Sequence, residues 1–87
     1  MIRHIIKCWS PYFDDVVAGK KKFEARLNDR NYQEGDSIVM RHYDPQAKVY
    51  SGREWIGTIG YVLRGAPCCN PAFSEYCIFE LIPEATP

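Results

Sequence analysis

The chain has 87 residues, 46% of them apolar and 25% charged, with 11 Lys and Arg balanced by 11 Asp and Glu. That length suits one domain, residues 1–87, with a single thin core; no apolar run approaches the ~18 residues of a membrane span, and 14% aromatic content argues against disorder. A pI near 6.7 excludes a domain that holds nucleic acid by overall charge alone, for which a pI above about 9 is usual.

The first element is a strand over residues 2–8, apolar and β-branched, and its charges Arg3 and Lys7 make a secretory signal unexpected. Ser10-Pro11-Tyr12-Phe13-Asp14-Asp15 reads as a helix start, with Ser10 as cap, Pro11 at the first helical position and two acids at the positive end of the dipole. Phe13, Val16 and Val17 form one apolar stripe, and Gly19 ends this short helix. From Lys22 the period becomes two: Phe23, Ala25 and Leu27 share one face, and Lys22, Glu24, Arg26 and Asn28 share the other. Glu34-Gly35-Asp36 is a turn, and Ile38-Val39-Met40 opens another strand. Asp44-Pro45-Gln46 and Ser51-Gly52-Arg53 punctuate a hairpin-like excursion. Trp55 to Leu63 reads as a strand with Gly57 and Gly60 at bulges or bends. Ala66 to Ser74 is a loop, and Tyr76 to Ile82 is a closing strand with Cys77, Phe79 and Leu81 on one face. The sum is an α+β, mainly β domain: a small barrel of about five strands, one short helix after the first, and its edges hidden by closure.

Charge is uneven along this neutral chain. Residues 20–30 hold five cations (Lys20, Lys21, Lys22, Arg26, Arg30) against two anions (Glu24, Asp29), a local +3, while residues 66–87 hold Glu75, Glu80 and Glu84 and no Lys or Arg. The four cysteines, Cys8, Cys68, Cys69 and Cys77, contain no C-x₂-C pair, and His4 and His42 complete no ligand pattern, so no metal site and no cofactor is expected. Free thiols packed as small hydrophobes, in a cytoplasmic protein, fit this usage. The adjacent Cys68 and Cys69 leave a redox role open.

The densest chemistry lies in Gly19-Lys20-Lys21-Lys22-Phe23-Glu24-Ala25-Arg26. A helix stops, lysines follow, and a strand presents Glu24 and Arg26 about 6.5–7 Å apart on one face. Two readings stand: a solvated strand face carrying a surface ion pair worth at most ~1 kcal/mol, or a charged wall of a cleft.

This stretch matches G-x-K-x-x-E-x-R, the signature of the ASCH domain, and the chain resembles that family of small PUA-like β-barrels. The similarity extends to Lys7-Cys8-Trp9-Ser10-Pro11-Tyr12-Phe13, Asn28-Asp29-Arg30, Gly35-Asp36, Tyr43-Asp44-Pro45 and Gly52-Arg53-Glu54, and together these segments are similar to a compact ASCH-like subfamily of bacteria and their phages. The resemblance implies a cleft beside the helix lined by Lys21, Glu24 and Arg26, and binding of RNA or a nucleotide-like ligand. In that setting Arg26 and Arg30 suit phosphates or a guanine edge, and Glu24 suits an exocyclic amine. Tyr32, Tyr43, Trp9 and Trp55 offer stacking faces worth ~1–3 kcal/mol per base, although core packing is the preferred reading of the two tryptophans.

The resemblance also reaches amidohydrolases that deacylate cytidine derivatives with a lysine, a threonine three residues on and a distant glutamate. Lys21 matches the lysine, Glu24 stands in the threonine position, and Glu75 or Glu80 are nominees for the third role only by default. The alternative activity is therefore a small amidohydrolase on an acylated nucleoside, with Lys21 and Glu24 as its base and acid. A protein-interaction module is the third reading.

Overall fold

A computed structural model of the chain describes residues 1–65 and 75–84. Six elements follow one another: β1 (Arg3–Trp9), α1 (Tyr12–Val17), β2 (Phe23–Leu27), β3 (Ser37–Asp44), β4 (Val49–Arg64) and β5 (Tyr76–Pro83). The strands form one curled sheet in the order β1-β3-β4-β5-β2, a mainly β half-barrel with the one short helix after the first strand.

Alternation explains the packing. In β1, His4, Ile6 and Cys8 are buried while their neighbours are exposed. In β5, Cys77, Phe79 and Leu81 are buried in the same way. These side chains join Ile38, Met40, Ile59 and Tyr32, and α1 adds Phe13 and Val16. Val17, grouped by sequence with that apolar stripe, is exposed. The helix is six residues long, too short to persist without this packing.

Three local expectations are corrected. Pro11, not Ser10, is the N-cap residue, and no side chain caps the helix; the Ser10 hydroxyl is hydrogen-bonded to His42 Nε2 instead. Ser51-Gly52-Arg53 is no turn but lies within the 16-residue β4. There the β3–β4 register steps from Arg41↔Glu54 to Tyr43↔Tyr50, and Gly52 at φ +92° takes a backbone conformation that suits glycine. The Gly60 region matches expectation, since the β4–β5 register gains a residue between Ile59 and Val62.

The third correction concerns closure. β1 pairs with β3 in parallel along Arg3↔Ser37 to Trp9↔Tyr43, and β2 pairs antiparallel with β5. β1 and β2 are thus the two ends of the strand order, and a seam lies between them. The sheet curls far enough for side chains of the β2 side to reach β1 across it: Arg26 donates to the Lys7 carbonyl, and Arg30 Nη1 donates to the Ile5 carbonyl at 2.8 Å.

Candidate functional site

The seam is also a cleft of about 590 Å³. Its walls come from Lys7, Cys8 and Trp9 of β1, Tyr12 of α1, Lys21 and the β2 residues Glu24–Leu27, with Asp29, Arg30, Tyr32 and Tyr76 completing it.

The approach to β2 is set by the way α1 ends. Gly19, at φ +78°, donates to the Val16 carbonyl at 3.1 Å, and Lys20 donates to Asp15 at 2.9 Å. These two bonds close the helix in the manner of a Schellman motif, which needs a left-handed residue at Gly19. Lys21 also donates its backbone N–H to Asp15, at 3.0 Å, so the chain leaves the helix with Lys21 beside the start of β2.

On β2 the sequence alternation selects two faces but inverts the usual assignment. Glu24 is 9% exposed, whereas Phe23 is 53% and Leu27 46% exposed. The charged row takes the sheltered side of the strand, and the apolar row is the more exposed one, with Ala25 and Leu27 at the cleft margin. Burial of a lone carboxylate would be costly, and the structure compensates it closely. Glu24 Oε1 accepts from Lys21 Nζ at 3.3 Å and from the Ala25 N–H at 3.2 Å, and Oε2 lies 3.7 Å from Arg26 Nη2.

The same side chains cover exposed backbone. Strand edges present rows of unpaired N–H and C=O groups that other chains can pair with. Along β2, Lys21 Nζ donates to the Phe23 carbonyl at 2.9 Å, and Glu24 takes the Ala25 N–H. Along β1, Arg26 and Arg30 occupy the carbonyls of Lys7 and Ile5. The charged motif is therefore an edge guard as well as a cleft lining, a role the sequence reading missed because strand order is invisible to alternation.

Of the six residues singled out for ligand contact, Lys21, Glu24, Arg26, Arg30 and Tyr32 converge on this cleft. Tyr32 contributes no stacking face: it is 1% exposed, and its ring packs against His4 and Phe79 at 4.7 and 4.8 Å between centroids. Burial raises its phenol above the ordinary value, against the lowering effect of Arg30 and Arg26. Tyr43 lies outside the cleft lining, under Lys7 Nζ at 4.1 Å and against Tyr50.

The tryptophans divide. Trp55 is half-buried against the core, as preferred, whereas Trp9 is 51% exposed at the cleft. Tyr12 and Tyr76 are further cleft aromatics that sequence reasoning did not single out. Outward parity was the available signal, because Tyr76 precedes the inward series Cys77, Phe79, Leu81.

Cys8 forms part of the cleft lining. Burial raises its thiol above the usual value, Glu24 adds to that, and Lys21 and Arg26 pull the other way with less effect. The thiol is thus held in its protonated, weakly nucleophilic form. Cys77 is buried and likewise raised by desolvation; Cys68 and Cys69 lie outside the described residues. Among the described residues, no three His, Cys, Asp or Glu side chains gather as a metal site, and no helix is long and apolar enough to cross a membrane.

Two histidines have partners that spacing did not reveal. His4 Nε2 is 2.8 Å from Asp36 Oδ2, both buried. The Asp36 carboxylate also accepts from the backbone N–H groups of Ile2 at 3.2 Å and Gln33 at 3.1 Å. His42 bridges Ser10 and, through Nδ1 at 2.7 Å, Ser51.

Residues 3–81 match the family described as a domain of unknown function, DUF3850. That span is most of the chain, which therefore belongs to this family. A protein of Escherichia phage P2, named as an uncharacterized 12.9 kDa protein in the GpA 3′ region, is 39% identical over 51 residues. Those residues are 59% of this chain and 45% of the relative, so the chain spans less than half of the relative's length.

Proposed function

We propose that this DUF3850 domain is an ASCH-like, PUA-like barrel that binds RNA, or a nucleotide of the same chemistry, in the cleft between β1 and β2. One observation carries the reading: a neutral protein concentrates cations around a cleft that also has aromatic walls. Lys21, Arg26 and Arg30 line it with Glu24 and Asp29, and Lys7 stands at its β1 wall with its Nζ over the Tyr43 ring, four positive charges against two negative. Local charge of this kind attracts an anionic ligand where net charge gives no help.

The ligand's parts have counterparts. Arg26 and Arg30 each spend one N–H on a β1 carbonyl, which fixes the guanidinium and leaves further donors of the fork for phosphate oxygens. Trp9, Tyr12 and Tyr76 line the cleft as aromatic faces for bases. A volume of about 590 Å³ is in the ~300–1,000 Å³ range of small-ligand sites. Among the described residues the cleft lining holds no Ser or Thr, and Cys8 is kept protonated, so binding fits these residues better than acyl transfer through a side-chain nucleophile. The reading assigns the protein to the cytoplasm, where its thiols stay reduced.

Retention of single-stranded RNA across a salt series tests this. With two to four phosphates neutralised on a single strand, log affinity is expected to fall with log salt at a slope of about −1.4 to −2.8. Arg30→Ala should weaken binding for every sequence and flatten the slope by about 1. A folded protein that retains no RNA at low salt would contradict the reading.

A further inference from the structure

The row Lys21–Glu24–Arg26 alternates in hydrogen-bonding sense, and each member keeps capacity in reserve. Lys21 has three N–H donors and uses them on the Phe23 carbonyl and Glu24 Oε1, leaving one. Arg26 has five and uses one on the Lys7 carbonyl. Glu24 is 9% exposed, and its Oε2 has Arg26 at 3.7 Å as its neighbour, beyond hydrogen-bond reach. A carboxylate oxygen that lines the cleft beside Arg26, makes no hydrogen bond of its own and has Lys21 on its sister oxygen is free to accept from a ligand donor.

Resting on the nucleotide reading above, we propose that this row selects a base with an imide edge, carbonyl–N–H–carbonyl, as in uracil. The imide N–H donates to Glu24 Oε2, and the two carbonyls accept from Lys21 and Arg26. All three polar groups of the imide edge are then paired. Cytosine and adenine instead set a ring-nitrogen lone pair against the carboxylate and an amine against a cation. Guanine satisfies Glu24 and one cation but turns its amine toward the other. Buried groups left unpaired by the wrong partner are the strongest source of discrimination a small site has. Stacking adds affinity and no such choice, because every base has a π-face.

The test is equilibrium binding of uridine monophosphate, cytidine monophosphate and 3-methyluridine monophosphate to the full chain, read by calorimetry. The methylated probe keeps phosphate, sugar and ring and loses the imide donor. Uridine monophosphate should bind at least about tenfold more tightly than either, the low end of what one well-matched base edge provides. Glu24→Gln keeps the shape and adds an amide donor for the cytosine ring nitrogen. It should cut the uridine-to-cytidine preference at least tenfold, with circular dichroism confirming the fold. Equal binding of uridine and its 3-methyl form, or preference for cytidine, overturns the base assignment and leaves the RNA reading standing. Failure of all three nucleotides together with failure to retain RNA removes both.

Discussion

At Glu24 two demands meet in one side chain. It neutralises part of a cationic cleft and covers a backbone N–H on a strand edge. The row of charges was legible in the sequence as the polar face of a strand. What alternation leaves open is which face points inward, and Phe23 and Leu27 would ordinarily be chosen. At an open seam the inner face is wet, so the hydrophobic argument loses its force there, and the ion pairs with Lys21 and Arg26 make partial burial tolerable. The buried pair His4–Asp36 was less legible, because its members are 32 positions apart. Burial alone would raise the Asp36 carboxyl, yet hydrogen bonds from His4, Ile2 and Gln33 outweigh that and hold it below the ordinary 3.8. A depressed carboxyl stabilises the fold above the unfolded value and loses that contribution as pH falls toward the folded one. The urea midpoint should therefore stay level down to about pH 5 and decline below about pH 4. Asp36→Asn should cost about 2 kcal/mol at neutral pH and flatten the acid decline. An unchanged acid slope in that variant would show that the pair does not govern it.

Among the elements, those with local punctuation could be read and those defined by distant partners could not. Gly19 ended the helix as expected because the stop is a backbone conformation, reachable by glycine without strain. Gly52, equally glycine, was read as a turn, since a bulge inside a long strand uses the same left-handed geometry. Neither the parallel β1–β3 pairing nor the seam is written in any single segment. Gly57 shows how closely the long strand is held. A Cβ there would overlap the Ile82 carbonyl and the Trp55 ring, one a backbone atom of β5 and the other a ring packed on the core. Gly57→Ala should destabilise the domain by about 1–3 kcal/mol and alter Trp55 fluorescence at the same time. A variant with wild-type stability and spectrum would mean that β4 and β5 separate there at no cost.

At the largest scale, the five strands and one six-residue helix of the described residues leave one curled sheet with two ends. Closing it by hydrogen bonds would hide both edges. Instead the edges stand apart, their exposed groups capped by Lys21, Glu24, Arg26 and Arg30, and the separation becomes the cleft. On the proposed function the arrangement ties stability to binding, because Arg26 and Arg30, the proposed phosphate donors, are the side chains that span the seam. Chemical-shift mapping tests this most directly: the isotope-labelled chain is titrated with uridine monophosphate and its backbone amides are followed. The expected result is a set of shifts confined to the two seam edges, at Lys7, Trp9, Ala25 and Leu27, saturating together. Shifts confined to the outer face around Tyr61 and Ile78, with the seam amides unmoved, would contradict it.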